Sequence, residues 1–86
     1  MTSAADPAAA IVAARVGALA EELVAFRRDL HRHPELSWAE ARTTDLVRRR
    51  VETLGYRVTL LPTSGLVAEI GEGLRCVGLR ADLDAL

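Results

Sequence analysis

The spacing of apolar residues changes at Gly55, and this change constrains the fold more than any other feature of the sequence. Before Gly55, apolar residues recur every three or four positions, which is the period of an α-helix. After Gly55 they alternate or form short runs, which is typical of β-strands. The longest helical stripe consists of Val12, Val16, Leu19, Leu23, Phe26 and Leu30. The sequence therefore predicts an α/β fold in which helices precede strands.

The apolar stripe and its alanine-rich filling predict a first helix over residues 8–31, with Gly17 as its weakest position. Residues 1–7 are predicted to be a disordered lead. Pro34 disfavours helical geometry at the residue before it, so the helix should end near His33.

A second helix is predicted over residues 38–54. Ser37 and Glu40 have the spacing of a capping box, in which each side chain bonds a backbone N–H at the start of the helix. Gly55 is a favourable stop, because glycine readily adopts the left-handed conformation that ends many helices.

Three strands are predicted after Gly55, over residues 56–61, 66–70 and 75–81. A short glycine-bearing link joins the second and third, so these two are expected to pair antiparallel. The predicted fold class is thus α/β, with two N-terminal helices followed by three strands.

Composition excludes several classes of protein. The formal net charge is −1, so no long-range field attracts nucleic acid or an anionic membrane. No apolar run reaches the roughly 18 residues that would span a bilayer, and the N-terminus lacks the charge pattern of a signal peptide. Cys76 is the single cysteine, which excludes an internal disulfide and fits a reducing compartment. These features predict a cytoplasmic protein, with Cys76 as a packed, inert thiol.

His31, His33 and Glu35 form the first candidate site. Two histidines and a carboxylate are a common ligand set for Zn²⁺ or Fe²⁺. Side chains two positions apart diverge on a helix, so they would converge only on an extended segment. The alternative is that these side chains pin the corner between helix and loop through hydrogen bonds to the backbone.

Asp82 and Asp84 form the second candidate site, at the end of the third predicted strand. On a strand their side chains would face the same side, two rises of about 3.3 Å apart. Such a pair could bind a hard cation, orient a ligating histidine, or act as an acid–base pair. The alternative is a polar cap at the strand end.

The same segments resemble the M-twenty metallopeptidase family, and most closely its amidohydrolase branch of hippurate, N-acyl-amino-acid and indoleacetyl-amino-acid hydrolases. The resemblance begins with the motif from Arg27 to Ser37 and continues through residues 54–56 and 65–68. It ends with the motif over residues 78–86, and the order and spacing of these blocks agree over about residues 24–86.

The resemblance implies a zinc-peptidase-like α/β catalytic domain with an inserted lid domain. Residues 8–86 would be the N-terminal, incomplete portion of the catalytic domain, without the lid. The family uses two divalent ions, Zn²⁺ or Mn²⁺, to polarise an amide carbonyl and activate water, and a glutamate serves as general base. The branch's main metal ligands (one Cys, one Glu and three His) are expected downstream of this chain, so no metal ligand is assigned within it.

Individual residues carry over as follows. Asp84 matches a family aspartate that orients the metal centre without binding metal itself. Asp82 stands where relatives outside the branch have a ligating histidine, so it is not expected to bind metal directly. His31, His33 and Glu35 belong to the branch motif and are expected near the site without a ligand role.

Three functional hypotheses follow. The first is a piece of a metal-dependent amidohydrolase acting on N-acyl amino acids or related small-molecule amides, inactive by itself, whose parent could be a homo-oligomer. The second is a small α/β binding or interaction module without catalysis that recruits a partner through an exposed sheet edge. The third is a minimal metal-binding domain built from the His-x-His and Asp-x-Asp pairs.

Overall fold

A computed structural model describes residues 6–85 of the chain. Its elements are α1 (Pro7–Ala18), α2 (Ala20–Arg32), α3 (Ala41–Thr53), β1 (Arg57–Leu60) and β2 (Leu66–Glu69). The predicted α/β class is confirmed, but the described residues form three helices and two strands instead of two and three. The chain divides after His33 into two compact units. The disordered lead predicted for residues 1–7 falls largely outside the described residues, and helix α1 already begins at Pro7.

The first unit contains α1 and α2, and the prediction of one continuous helix over residues 8–31 is wrong. The break lies at Leu19, whose backbone N–H is shared between the carbonyl oxygens of Arg15 at 3.2 Å and Val16 at 3.1 Å. A bond to the residue three positions back tightens the last turn of α1. Gly17, whose freedom in the unfolded chain makes helix formation less favourable, precedes this break by two residues.

One helix end in each unit follows known capping rules. The Asp6 carboxylate accepts a hydrogen bond from the N–H of Ala8 at 2.9 Å, and Pro7 occupies the first helical position. At the end of α3, Gly55 has φ of 93°. Around it, the N–H of Gly55 bonds the carbonyl of Glu52 at 2.9 Å and the N–H of Tyr56 bonds that of Val51 at 3.1 Å. This is the Schellman arrangement, and the predicted stop at Gly55 is confirmed.

In the second unit, β1 and β2 form an antiparallel hairpin that pairs Arg57 with Glu69 and Leu60 with Leu66. The loop between them closes through a 3.0 Å bond from the N–H of Leu61 to the carbonyl of Gly65. The first two predicted strands are therefore present, although each is shorter than predicted, and they pair with each other.

The third predicted strand is absent from the described residues. Residues 75–81 have no strand partner, and Val77 and Leu79 are 88% and 99% exposed. Alternating apolar residues make a segment suitable for a strand, but a strand exists only when a neighbour satisfies its backbone N–H and C=O groups. The predicted antiparallel pairing of strands two and three is wrong for this reason.

Burial in the described chain is polar. The only buried residues there are Glu40, Thr43 and Thr44, which are 7%, 3% and 8% exposed, and no described hydrophobic residue is buried. The second unit is therefore centred on hydrogen-bonded groups around the start of α3. No helix within residues 6–85 is both long enough and apolar enough to cross a bilayer.

Candidate functional site

The start of α3 is held by Glu35. One carboxylate oxygen of Glu35 accepts from the N–H of Thr43 at 2.5 Å, and the other accepts from the N–H of Arg42 at 3.1 Å. These are N–H groups that the first turn of a helix cannot satisfy internally, and a negative charge is favourable there. The predicted capping box is wrong: α3 begins at Ala41, and a carboxylate six residues earlier in the chain replaces the Ser37 hydroxyl.

Glu40 joins the same helix start to the β1–β2 loop. Its carboxylate accepts from the backbone N–H of Trp38 at 2.9 Å and from the hydroxyl of Ser64. A second hydrogen bond connects the same loop to α3: the N–H of Gly65 donates to the hydroxyl oxygen of Thr44 at 2.9 Å. Two hydrogen bonds from adjacent loop residues thus attach the hairpin to α3.

Hydrogen bonds to the charged form lower the pKa of both carboxyl groups. The pKa of Glu35 lies below its ordinary value, chiefly because of the Thr43 hydroxyl and then the Thr43 backbone N–H. The pKa of Glu40 is lowered chiefly by the Ser64 hydroxyl, while burial and the nearby Glu35 charge act in the opposite direction. Both groups therefore stabilise the second unit in their ionised form.

Acidification is expected to loosen this unit. A carboxyl group whose folded pKa is depressed stabilises the fold above its unfolded pKa of about 4.3, and this contribution is lost as the pH falls through the folded pKa. We expect helical circular dichroism at 222 nm to decrease below about pH 4.5. In Glu35→Gln part of this acid-dependent change should already be present at neutral pH. Glu72→Gln, in the irregular segment after β2, is the matched control and should give the same acid profile as the unmodified chain. Identical acid profiles for Glu35→Gln and the unmodified chain would contradict the assignment.

Asp82 and Asp84 line a shallow cavity of about 200 Å³, largely open to solvent, in the second unit. The remaining lining residues are Ser37, Trp38, Glu40, Ser64, Ala81 and Leu83. Both aspartates lie on an irregular segment and not at the end of a strand, which corrects the predicted geometry. Asp82 forms an exposed 3.0 Å ion pair with Arg80. The segment is attached to the 34–40 loop by a 2.7 Å bond from the N–H of Ala85 to the carbonyl oxygen of Glu35.

The structure describes separate contacts for the side chains of the first candidate site, which consists of His31, His33 and Glu35. His31 lies in the last turn of α2, and the Nδ1 atom of His33 is 3.1 Å from the carbonyl oxygen of Asp29. The same Nδ1 atom is 3.5 Å from the Asp29 carboxylate. Glu35 is engaged at the start of α3. His33 and Glu35 thus each contact backbone groups through their side chains, which is the kind of contact that the corner-pinning alternative describes.

No three His, Cys, Asp or Glu side chains within residues 6–85 come together in a way that could hold a metal ion. The described residues therefore supply no complete metal site, and the resemblance assigns no metal ligand to them. The aspartate pair lines a cavity that opens beside the loop carrying Glu40.

The structure also shows features that sequence reasoning missed. Cys76 is exposed, so the prediction of a packed thiol is wrong, because the segment that carries it has no strand partner. Ser64 bonds Glu40 across 24 positions of the sequence, and Thr44 bonds Gly65 across 21 positions. No local sequence pattern indicates contacts between residues so far apart. Trp38 has φ of 67°, a left-handed conformation that is unfavourable for a bulky residue, and its N–H is held by Glu40.

Comparison with known proteins finds no matching family model and no matching solved structure. Curated relatives do match. The chain is 52% identical over 68 residues to the putative glutamate–cysteine ligase 2-3 of Rhodococcus jostii, which covers 77% of this chain and 9% of that protein. It is 43% identical over 68 residues to the N-acetylcysteine deacetylase of Bacillus subtilis, covering 74% of this chain and 18% of the relative. It is 40% identical over 68 residues to the N-acyl-L-amino acid amidohydrolase of Geobacillus stearothermophilus, covering 76% of this chain and 18% of the relative.

The chain therefore spans between 9% and 18% of the length of these relatives. The 68 matched residues make up 9% of the ligase but 18% of the deacetylase, so the ligase is about twice as long as the deacetylase. Its name consequently describes a protein of which most lies outside the matched region.

Proposed function

We propose that this chain, which carries a region homologous to the amidohydrolases of the M-twenty family, forms part of a larger enzyme. The proposed enzyme hydrolyses N-acyl amino acids or related amides. The names of two relatives support hydrolysis of an N-acyl bond. The observation that carries the proposal is the cavity in which Asp84 lies beside Trp38 and Glu40. It brings Ser37, the last residue of the first motif of the resemblance, together with residues 81–84 of its last motif.

Asp84 is the proposed positioning residue of this cavity. Its carboxylate would orient a metal-binding group, because hydrogen bonds from carboxylates fix the direction and raise the basicity of such groups. Asp82 already pairs with Arg80 at 3.0 Å, and this contact leaves it the lesser candidate. Two divalent ions, Zn²⁺ or Mn²⁺, belong to the proposal, and their ligands would have to come from outside residues 6–85.

An amide on the amino group of cysteine is the first substrate to test. One relative is named for N-acetylcysteine. N-acetyl-L-cysteine should be compared with N-acetyl-L-serine and N-acetyl-L-leucine, since the three differ only in the side chain. A preference for the thiol would extend the proposal from the reaction type to the substrate class.

A chimeric enzyme tests the proposed function. The matched 68-residue region of the Bacillus subtilis deacetylase is replaced by the corresponding residues of this chain. We expect the chimera to release cysteine from N-acetylcysteine, measured by the amine product, and to lose activity on addition of a chelator. The 86-residue chain alone, assayed with Zn²⁺ or Mn²⁺, is expected to show no hydrolysis.

Two controls make the result interpretable. The unmodified deacetylase sets the full rate, and a second chimera with the Geobacillus stearothermophilus region, 40% identical to this chain, shows the cost of a swap between hydrolases. A folded but inactive chimera, alongside an active control chimera, would refute the proposal. Turnover by the isolated chain would refute the assignment of this region as one part of a larger active site.

The exposed apolar residues of the segment after β2 favour a second candidate function. Leu74, Val77 and Leu79 are exposed, and β2 has a strand neighbour on one side only within the described residues. An unpaired edge beside exposed apolar side chains is suited to pairing with another strand. A binding module would show a stable, saturable complex of the isolated chain with a partner and no contribution to hydrolysis in the chimera.

A further inference from the structure

We propose that Glu35 is the positioning residue that sets the location of Asp84 relative to α3. The inference rests on the proposed function, because it assigns Glu35 a part in the same site. Two different groups of Glu35 carry it. The side chain binds the N-terminus of α3, and the main-chain carbonyl binds the N–H of Ala85, the residue that follows Asp84.

The two attachments belong to one residue, so the distance between them depends on only a few torsion angles. The Ala85–Glu35 bond is 2.7 Å and the two bonds to α3 are 2.5 Å and 3.1 Å. No strand pairing holds residues 71–85 within the described chain. The Glu35 carbonyl is therefore the backbone contact that ties the Asp84 segment to the regular structure of this unit.

Glu35 and Glu40 differ in what their carboxylates accept, and this difference supplies a matched comparison. Both α3 partners of Glu35 include backbone N–H groups, which can only donate. In Glu35→Gln the side-chain NH₂ group, itself a donor, would face one of these backbone N–H groups, and the hydrogen bond to that N–H would be lost. One partner of Glu40 is the Ser64 hydroxyl, which can rotate and accept instead, so glutamine at position 40 can keep both contacts.

Amide hydrogen exchange in the full 86-residue chain tests the proposal without any need for hydrolysis. We expect the Ala85 amide to be protected in the unmodified chain and in Glu40→Gln. In Glu35→Gln its exchange should be about fivefold faster, the size expected when one ordinary hydrogen bond is lost. An unprotected Ala85 amide in the unmodified chain, or equal rates in Glu35→Gln and Glu40→Gln, would overturn the proposal.

A pH titration remains informative if Glu35→Gln unfolds α3 altogether. Asp82→Asn, Asp84→Asn and Glu40→Gln are combined in a chain whose C-terminal carboxyl is amidated, because all four carboxyl groups could otherwise shift the Ala85 amide resonance or act on Glu35. Arg42, the other charged group facing Glu35, is left unchanged in this variant. The Ala85 resonance should then follow the ionisation of Glu35, and a resonance that stays constant from pH 6 to the acid limit would overturn the proposal.

The outcomes separate this inference from the proposed function. An inactive chimera with a Glu35-dependent Ala85 amide refutes hydrolysis and leaves the positioning role of Glu35 in place. An active chimera, together with an Ala85 amide whose exchange rate does not depend on Glu35, refutes the positioning role alone.

Discussion

Asp84→Asn is expected to lower N-acetylcysteine hydrolysis by the chimera by about 10- to 100-fold, the range found when a carboxylate that orients a metal-binding group is removed. Asparagine keeps the shape of the side chain and one acceptor oxygen but removes the negative charge. The loss should fall mainly on kcat and on metal affinity, because the substrate need not touch this side chain. The measurements are steady-state rates over a range of added Zn²⁺ or Mn²⁺ and the metal content of the purified enzyme.

Asp82→Asn is the matched control for this experiment. It makes the same chemical change two residues away in the same cavity, at an aspartate that is exposed and paired with Arg80. We expect its rate to stay within about threefold of the parent chimera, since exposed ion pairs contribute little. A larger loss for Asp82→Asn than for Asp84→Asn would reverse the assignment of the two aspartates.

Thr44→Val is expected to destabilise the second unit by about 1 kcal/mol, the net contribution of a typical hydrogen bond. Valine has nearly the same shape as threonine but cannot accept the bond from the N–H of Gly65. Thr44 is buried and Gly65 is partly buried, so water replaces the lost acceptor only in part. Urea unfolding followed by circular dichroism measures the change, and exchange of the Gly65 amide should increase in parallel.

Thr53→Val is the control, because it makes the same change on the same helix at an exposed position. The Thr53 hydroxyl donates to the carbonyl of Arg49 at 2.8 Å, and that carbonyl can bind water instead. Its effect should stay within about 0.5 kcal/mol, as is usual for surface substitutions. Equal effects at the two threonines would mean that the hairpin is not held to α3 through Thr44.

Features encoded by neighbouring residues were predictable. The change of period at Gly55 predicts helices before strands, and the structure confirms it. The stop at Gly55 and the break before Pro34 depend on the conformational preferences of single residues, so they are visible in the sequence. The family resemblance is carried by short motifs of neighbouring residues, so it too was visible in the sequence, and the relatives confirm it.

Features that depend on contacts across the chain were not predictable. Ser37 and Glu40 have the spacing of a capping box, yet Glu35 takes the position at α3 because its carboxylate reaches two N–H groups at once. The link between Glu40 and Ser64 joins residues 24 positions apart. The aspartate pair was recognised from spacing alone, but the cavity that it shares with Trp38 was not.

By itself the sequence determined where helices and strands are favoured and which family its motifs resemble, because both depend on residue types at short spacing. Only the tertiary structure decided which polar groups are buried, which carboxylate holds α3, and that residues 75–81 do not form a strand among the described residues. A hydrogen bond needs both partners in place, and backbone geometry brings together partners such as Glu35 and Ala85 that are far apart in sequence.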